Sequence, residues 1–188
     1  LSLIKINGEY AFESRSLLGA SYHYQGQQIQ LGPALNEFNI SSAKPGRLIR
    51  YSLSFRDNTI AHHQADGVIV ATPTGSTAYA LSAGGPILTP AIACNLVLPV
   101  CPHKLSSRPI IYPNDVPAVI QLKNLDGQSA VINFDGHEAQ ALETDSKINI
   151  FLHQKKLRLV HPRNYDFFVT LQNKLHWEIP HHDPGYYY

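Results

Sequence analysis

The sequence predicts a mainly β protein, an antiparallel β-sandwich with one or two short helices. Three observations lead there. Short apolar runs rich in β-branched residues recur, about ten of them, with turn residues between. The chain carries 13 prolines, which break long helices nearly everywhere. One internal segment alone, near residues 78–83, has good helix formers between a start and a stop signal. Strands in succession, without a helix between each pair, argue for packed antiparallel sheets.

The elements follow in order. Residues 3–6 (LIKI) form a first run before an Asn7-Gly8 turn. Further runs cover 35–40, 48–55, 68–71, 96–100, 109–112, 118–122, 130–134, 148–152 and 157–160. Several alternate apolar and polar residues in part, as Ile132-Asn133-Phe134 does, the mark of a strand with one covered face. Asp126-Gly127 between two runs reads as a hairpin turn. A second helix is expected over 165–175, where Phe167, Phe168, Leu171 and Leu175 approximate helical spacing and Asn164 offers a cap. Residues 1–176 read as one domain, and 177–188 as a disordered or artificially appended tail.

Composition narrows the class. The chain has 188 residues, 44% hydrophobic and 15% charged, enough for a domain with a real core. The net charge is +1, and no dense Lys/Arg stripe marks a nucleic-acid surface. No apolar run is long enough for a membrane span. Of the two cysteines, Cys94 sits in an apolar run and reads as a small core residue. His62-His63 and His181-His182 tempt a metal reading. Neighbours on a strand point to opposite faces, and nothing nearby completes a ligand set, so no metal site is expected.

The most informative run is DGVIVATPTGSTAYALSAGGPI (66–87). Val68 to Ala71 read as a buried strand that Pro73 stops. Thr74 and Ser76 can cap a helix over 78–83, which Gly84-Gly85-Pro86 ends. A helix start of this kind presents N–H groups and hydroxyls to an anionic or polyhydroxylated ligand, such as a nucleotide. By helical spacing residues 75, 78, 79 and 82 share a face. Asn36-Glu37 offers donors and acceptors suited to ribose hydroxyls, although such a pair is also common on strand surfaces. Asp66 fits an Asx-turn with Gly67. Asp135-Gly136 ends a strand and needs no function as a turn.

The 66–87 run resembles the signature of NAD kinases, the enzymes that phosphorylate NAD to NADP. Leu35-Asn36-Glu37-Phe38 is similar to that family's Asn-Glu motif. CPHKLSSRPIIYP (101–113) and Phe134-Asp135-Gly136 fall in the expected order downstream, and the opening GEYAFESRSLL looks like the entry into the family's C-terminal domain. The resemblance covers about residues 1–176. It implies NAD contacts for Asn36, Glu37, Thr74, Thr77, Ala78, Tyr79 and Ser82. It implies that Asp66 lies at the dinucleotide site and can reach a neighbouring subunit's ligand. It places Asp135 near the phosphate-acceptor end, as an accessory to phosphate or metal.

The family's Gly-Gly-Asp-Gly motif belongs to an N-terminal α/β domain. None of the Asp-Gly pairs at 66, 126 and 135 follows Gly-Gly. The chain has no methionine and begins inside the resemblance. The expectation is therefore a C-terminal piece of a longer kinase that supplies NAD recognition and is inactive alone. The intact enzyme would transfer a phosphoryl group from ATP or polyphosphate, with Mg2+, to the 2′-hydroxyl of the adenosine ribose. It would be cytoplasmic and assemble as a homodimer or homotetramer. The competing reading is a non-catalytic NAD(P)-binding or oligomerisation module.

Overall fold

The period-2 runs pair into two six-stranded antiparallel sheets in a computed structural model that describes residues 10–123, 129–137 and 140–177. The strands are β1 (Tyr10–Tyr24), β2 (Gln27–Ala34), β3 (Glu37–Ser42), β4 (Ile49–Phe55), β5 (Asn58–Ala65) and β6 (Gly67–Ala71). They continue with β7 (Cys94–Val100), β8 (Ile110–Pro113), β9 (Ala118–Leu122), β10 (Ala130–Phe134), β11 (Gln140–Leu142) and β12 (Lys147–Pro162). One sheet runs β2-β1-β12-β9-β4-β5 and the other β11-β10-β3-β6-β7-β8.

The core lies between the sheets. Leu18, Tyr22, Tyr51, Leu53, Ile120 and Ile148 of the first sheet cluster with Phe38, Ile40, Val68, Val70 and Ile132 of the second. Register holds this pattern in place. Ile40 sits opposite Ile132 on one side and Val68 on the other, so a one-residue slip would turn all three out of the core. Burying each such aliphatic side chain contributes roughly 1.5–3 kcal/mol.

Strand β6 explains its own continuous apolar run. Val68 and Val70 face the inter-sheet core, while Ile69 and Ala71 join Ala80, Leu88, Leu96 and Leu98 in a second cluster on the opposite face. With both faces covered, alternation disappears and every residue of the strand is buried. Cys94 belongs to this second cluster, as expected for a small core residue. Both cysteines are free thiols.

Several expectations change. The 3–6 run, the Asn7-Gly8 turn, the Asp126-Gly127 pair and residues 178–188 lie outside the described residues. The strands flanking Asp126-Gly127 belong to different sheets, β9 to the first and β10 to the second. That connection crosses between sheets and is no hairpin. The runs at 148–152 and 157–160 are parts of one long strand, β12. β1, β2, β5 and β11 were not expected. β1 and β2 meet at Gln25-Gly26, both with positive φ (50° and 76°), a tight turn made without the usual Asn-Gly or Asp-Gly.

The chain forms two compact units: Ser14–Leu157, and Leu1–Glu13 with Arg158–Tyr188. The smaller unit carries the ends of β1 and β12 and helix α2 (Phe167–Leu175). Asp166, not Asn164, caps α2, accepting from the N–H groups of Phe168 and Val169 at 2.7 and 3.0 Å. Tyr165 is left stacked on His161, which contacts Glu13 at 3.0 Å. Residues 165 and 166 therefore stay outside the helix.

Candidate functional site

Three segments meet at one end of the second sheet. Glu37 opens β3 opposite Ala71, the last residue of β6, and Phe38 pairs with Phe134, the last residue of β10. The chain before β3 therefore lies beside the turn after β6 and the turn after β10. That places Asn36-Glu37, the TPTG segment and Asp135 together.

The approach of the first two is very close. A Cβ on Gly75 would lie 2.0 Å from the Asn36 carbonyl oxygen. Only glycine fits there. Thr72 ties the segments further. Its hydroxyl donates to the Leu35 carbonyl at 2.5 Å and accepts from the Gly75 N–H at 3.1 Å, and its own N–H donates to the Asn36 carbonyl at 2.9 Å.

Beyond the turn the chain forms a short 3-10 turn, Gly75–Thr77, and a one-turn helix, α1 (Tyr79–Ser82). The expected helix over 78–83 is thus shorter. Ala78 stands between the two pieces in a non-helical conformation (φ −101°, ψ −131°), which breaks the helix face drawn through 75, 78, 79 and 82. Neither Thr74 nor Ala78 makes a side-chain cap bond. Ser76 does not cap either. Its buried hydroxyl donates to Pro73 O at 2.7 Å and accepts from Leu88 N at 2.9 Å, pinning the turn to the chain beyond α1. The N–H groups of Gly75, Ser76 and Ala78 are taken by Thr72, Pro73 and Gly75. Those three N–H groups are therefore not open to a ligand. What the turn offers instead is side chains.

Those side chains are accessible. Thr77, Tyr79 and Ser82 are exposed, with Tyr79 at 46%, while Ala80 faces the second core cluster. Tyr79 is therefore no core residue. Thr74 accepts from Arg15 Nη1 at 3.2 Å. Arg15 and Thr72 are buried and were not singled out from sequence. For Thr72 the available signal was its place at the strand end before Pro73; Arg15 lies in β1, which the sequence did not announce.

Glu37 is the site's electrostatic anomaly. Burial, and then the nearby charge of Asp135, raise its carboxyl to about 7. Its Oε2 is buried without a partner. An acceptor left open in a half-covered site suits a ligand hydroxyl. Asp135 has φ 46° and precedes Gly136 at φ 73°, so the turn after β10 is left-handed and returns the Asp135 carboxylate over residues 35–37. Asp66 is apart from this group. It is exposed at the other end of β6, about 20 Å away by strand rise.

Comparison with known proteins shows which family the chain is similar to. Residues 35–162 match the model of the ATP-NAD kinase C-terminal domain. The NAD kinase of Ralstonia nicotianae is 39% identical over 177 residues, 94% of this chain and 58% of that protein. That of Legionella pneumophila (strain Corby) is 34% identical over 176 residues, 94% of this chain and 60% of that protein. The chain thus spans less than two thirds of the curated relatives it matches. Yeast NADH kinase complexed with NADH superposes with a TM-score of 0.81 at 25% identity, covering 88% of this chain and 50% of that one. An NAD kinase from Archaeoglobus fulgidus in complex with ATP gives 0.71 at 26% identity, covering 88% and 60%. A domain match over most of the sequence, with relatives aligned along nearly all of it, means that the chain belongs to the NAD kinase family and corresponds to its C-terminal domain.

Proposed function

We propose that this chain is the dinucleotide-holding part of an enzyme that phosphorylates the adenosine-ribose 2′-hydroxyl of NAD, with ATP or polyphosphate as donor. One observation carries the reading: the Asn36-Glu37 pair, with its open buried acceptor, is locked beside the turn that displays Thr77, Tyr79 and Ser82. Glu37 Oε2 would accept from a ribose hydroxyl, and the Asn36 amide would complement it. Tyr79 offers an exposed ring on which a base can stack. Thr74, Thr77, Ala78 and Ser82 would line the same contact. The chain's contribution to phosphoryl transfer is orientation of the acceptor.

Magnesium belongs to the donor phosphates in such a reaction. The residues here do not fit a resident ion. Among the described residues no three His, Cys, Asp or Glu side chains converge, and the Asp135 carboxylate faces backbone donors.

Asp66, far along β6, would complete the NAD site of a second copy in a homodimer or homotetramer. The domain would extend over residues 1–176, with 177–188 as a tail. A cytoplasmic setting is part of the same proposal. Among the described residues no helix is long and apolar enough to cross a membrane.

Titration calorimetry of NAD into the chain tests the proposal. Saturable binding that Glu37→Ala weakens about tenfold or more supports it, as expected for a lost charged-group hydrogen bond. Saturable binding unaffected by Glu37→Ala and Tyr79→Ala removes this surface from the site.

A further inference from the structure

Among the described residues, two take up the backbone groups of Leu35, Asn36 and Glu37, namely Asp135 and Thr72. The three N–H groups all donate to the Asp135 carboxylate, at 2.5 Å (Leu35, to Oδ2), 2.8 Å (Asn36, to Oδ1) and 3.2 Å (Glu37, to Oδ1). The three carbonyls accept from Thr72 Oγ1 (Leu35), Thr72 N (Asn36) and Asp135 N (Glu37, 3.3 Å). Among the described residues, each of the six polar groups of this backbone segment thus bonds to Asp135 or Thr72.

From this we infer that Asp135 and Thr72 are positioning residues. They act on the nucleotide through the Leu35–Glu37 backbone and do not touch phosphate or metal themselves. The inference rests on the NAD-binding reading of Asn36 and Glu37.

Chemistry separates this role from the alternative. Three N–H donors turn the Asp135 carboxylate toward the backbone, two on Oδ1 and one on Oδ2, which takes most of its capacity to accept. Its negative charge would repel a phosphate. The same charge instead acts on Glu37, adding to burial in favouring the protonated carboxyl. Thr72 is fully buried, so no ligand reaches its hydroxyl. Both residues also reach the segment from different strands, Thr72 from the end of β6 and Asp135 from the end of β10. The Asn36-Glu37 pair is thus held from both neighbouring strands, and its side chains can be placed only as well as these two residues hold it.

Amide hydrogen exchange by NMR, paired with NAD titration of the same samples, tests the inference. Asp135→Asn suits the left-handed turn, which Asn adopts readily, and keeps one acceptor oxygen. Asp135→Ala removes both. Thr72→Val removes the hydroxyl with little change of shape, and Thr72→Ser restores it. Asp135→Ala should speed exchange at the Leu35, Asn36 and Glu37 amides by roughly tenfold or more, leave β9 amides unchanged, and weaken NAD binding by a similar factor. Asp135→Asn should fall between it and the parent. Thr72→Val should weaken binding and Thr72→Ser should recover it. Weakened binding with the three amides still protected would show direct contact with ligand and overturn the inference. So would lost protection with unchanged affinity. If the unsubstituted chain binds no NAD, the NAD-binding reading fails, and the exchange data alone still decide whether Asp135 and Thr72 hold the segment.

Discussion

Glu37→Gln should make the protein more stable in mild alkali and leave it unchanged in acid. In the fold, burial and then Asp135 raise the Glu37 carboxyl from 4.5 to about 7. Between those values the folded chain holds a proton that the unfolded chain has released. Stability therefore falls as pH rises through this window and stays low above it. The whole shift is equivalent to about 3 kcal/mol. Glu37 is partly exposed, and screening by solvent reduces this to roughly 1.5 kcal/mol. Gln has nearly the shape of the protonated acid and never ionises. Near pH 4 the two proteins should melt together. Near pH 8 the variant should melt about 3–6 °C higher, the shift expected of a domain this size. His63 works in the opposite sense, because burial, then Lys104, then His62 lower its pKa, so its contribution is lost as pH falls through its titration. That background is common to both proteins, and their difference isolates Glu37. A melting difference that is the same near pH 4 and near pH 8 would refute the reasoning. So would a variant less stable than the parent near pH 8.

Three other outcomes are expected. Gly75→Ala puts a methyl 2.0 Å from the Asn36 carbonyl oxygen; it should cost about 3 kcal/mol or more, the upper end for overpacking, and a melt within a degree of the parent would contradict the close approach. Tyr79→Ala should weaken NAD binding in calorimetry while costing less than about 1 kcal/mol, because the ring is 46% exposed; a large loss of stability with normal affinity would make Tyr79 a packing residue. Sedimentation at micromolar concentration should show a species heavier than the 20.9 kDa chain, since among the described residues both sheets end in edge strands, β2 and β5, β11 and β8, that another copy can cover; a clean monomer would remove Asp66 from any shared site.

The sandwich was legible in sequence where one face alone is covered or where an apolar run is unbroken. The strands at 118–122 and 130–134 match β9 and β10 residue for residue, because short β-branched runs around Ile120 and Ile132 are each broken by one polar residue, Gln121 and Asn133. β1 escaped notice because Glu13-Ser14-Arg15-Ser16 interrupts its apolar pattern, and Arg15 is nevertheless buried. β5 escaped for a similar reason: its NTIAHHQA sequence lies on an edge and is largely polar. At the site, the motif residues could be named, but their bonding could not. Thr74 and Ser76 looked like caps, yet the hydroxyl that organises the turn belongs to Thr72, one residue before the proline. By its residues Asp135 read as a turn, and by the family resemblance as an accessory to phosphate or metal. Its real partners are 98 to 100 positions away, a distance that no local pattern conveys.

That distance has a kinetic consequence. The hydrogen bonds holding residues 35–37 close loops of 98 to 100 residues to Asp135, and of 37 residues to Thr72. Contacts this remote in sequence form slowly, since the chain must lose loop entropy before they return any stability. The proposed nucleotide surface should therefore be completed only when β3 pairs with β10, itself a contact 88 to 96 residues apart, and after the local hairpins β1-β2 and β4-β5 have formed. A ligand recognising it would bind the finished fold and not its precursors, pulling late intermediates toward the native state by mass action. In refolding, recovery of nucleotide affinity should lag behind recovery of β-sheet signal.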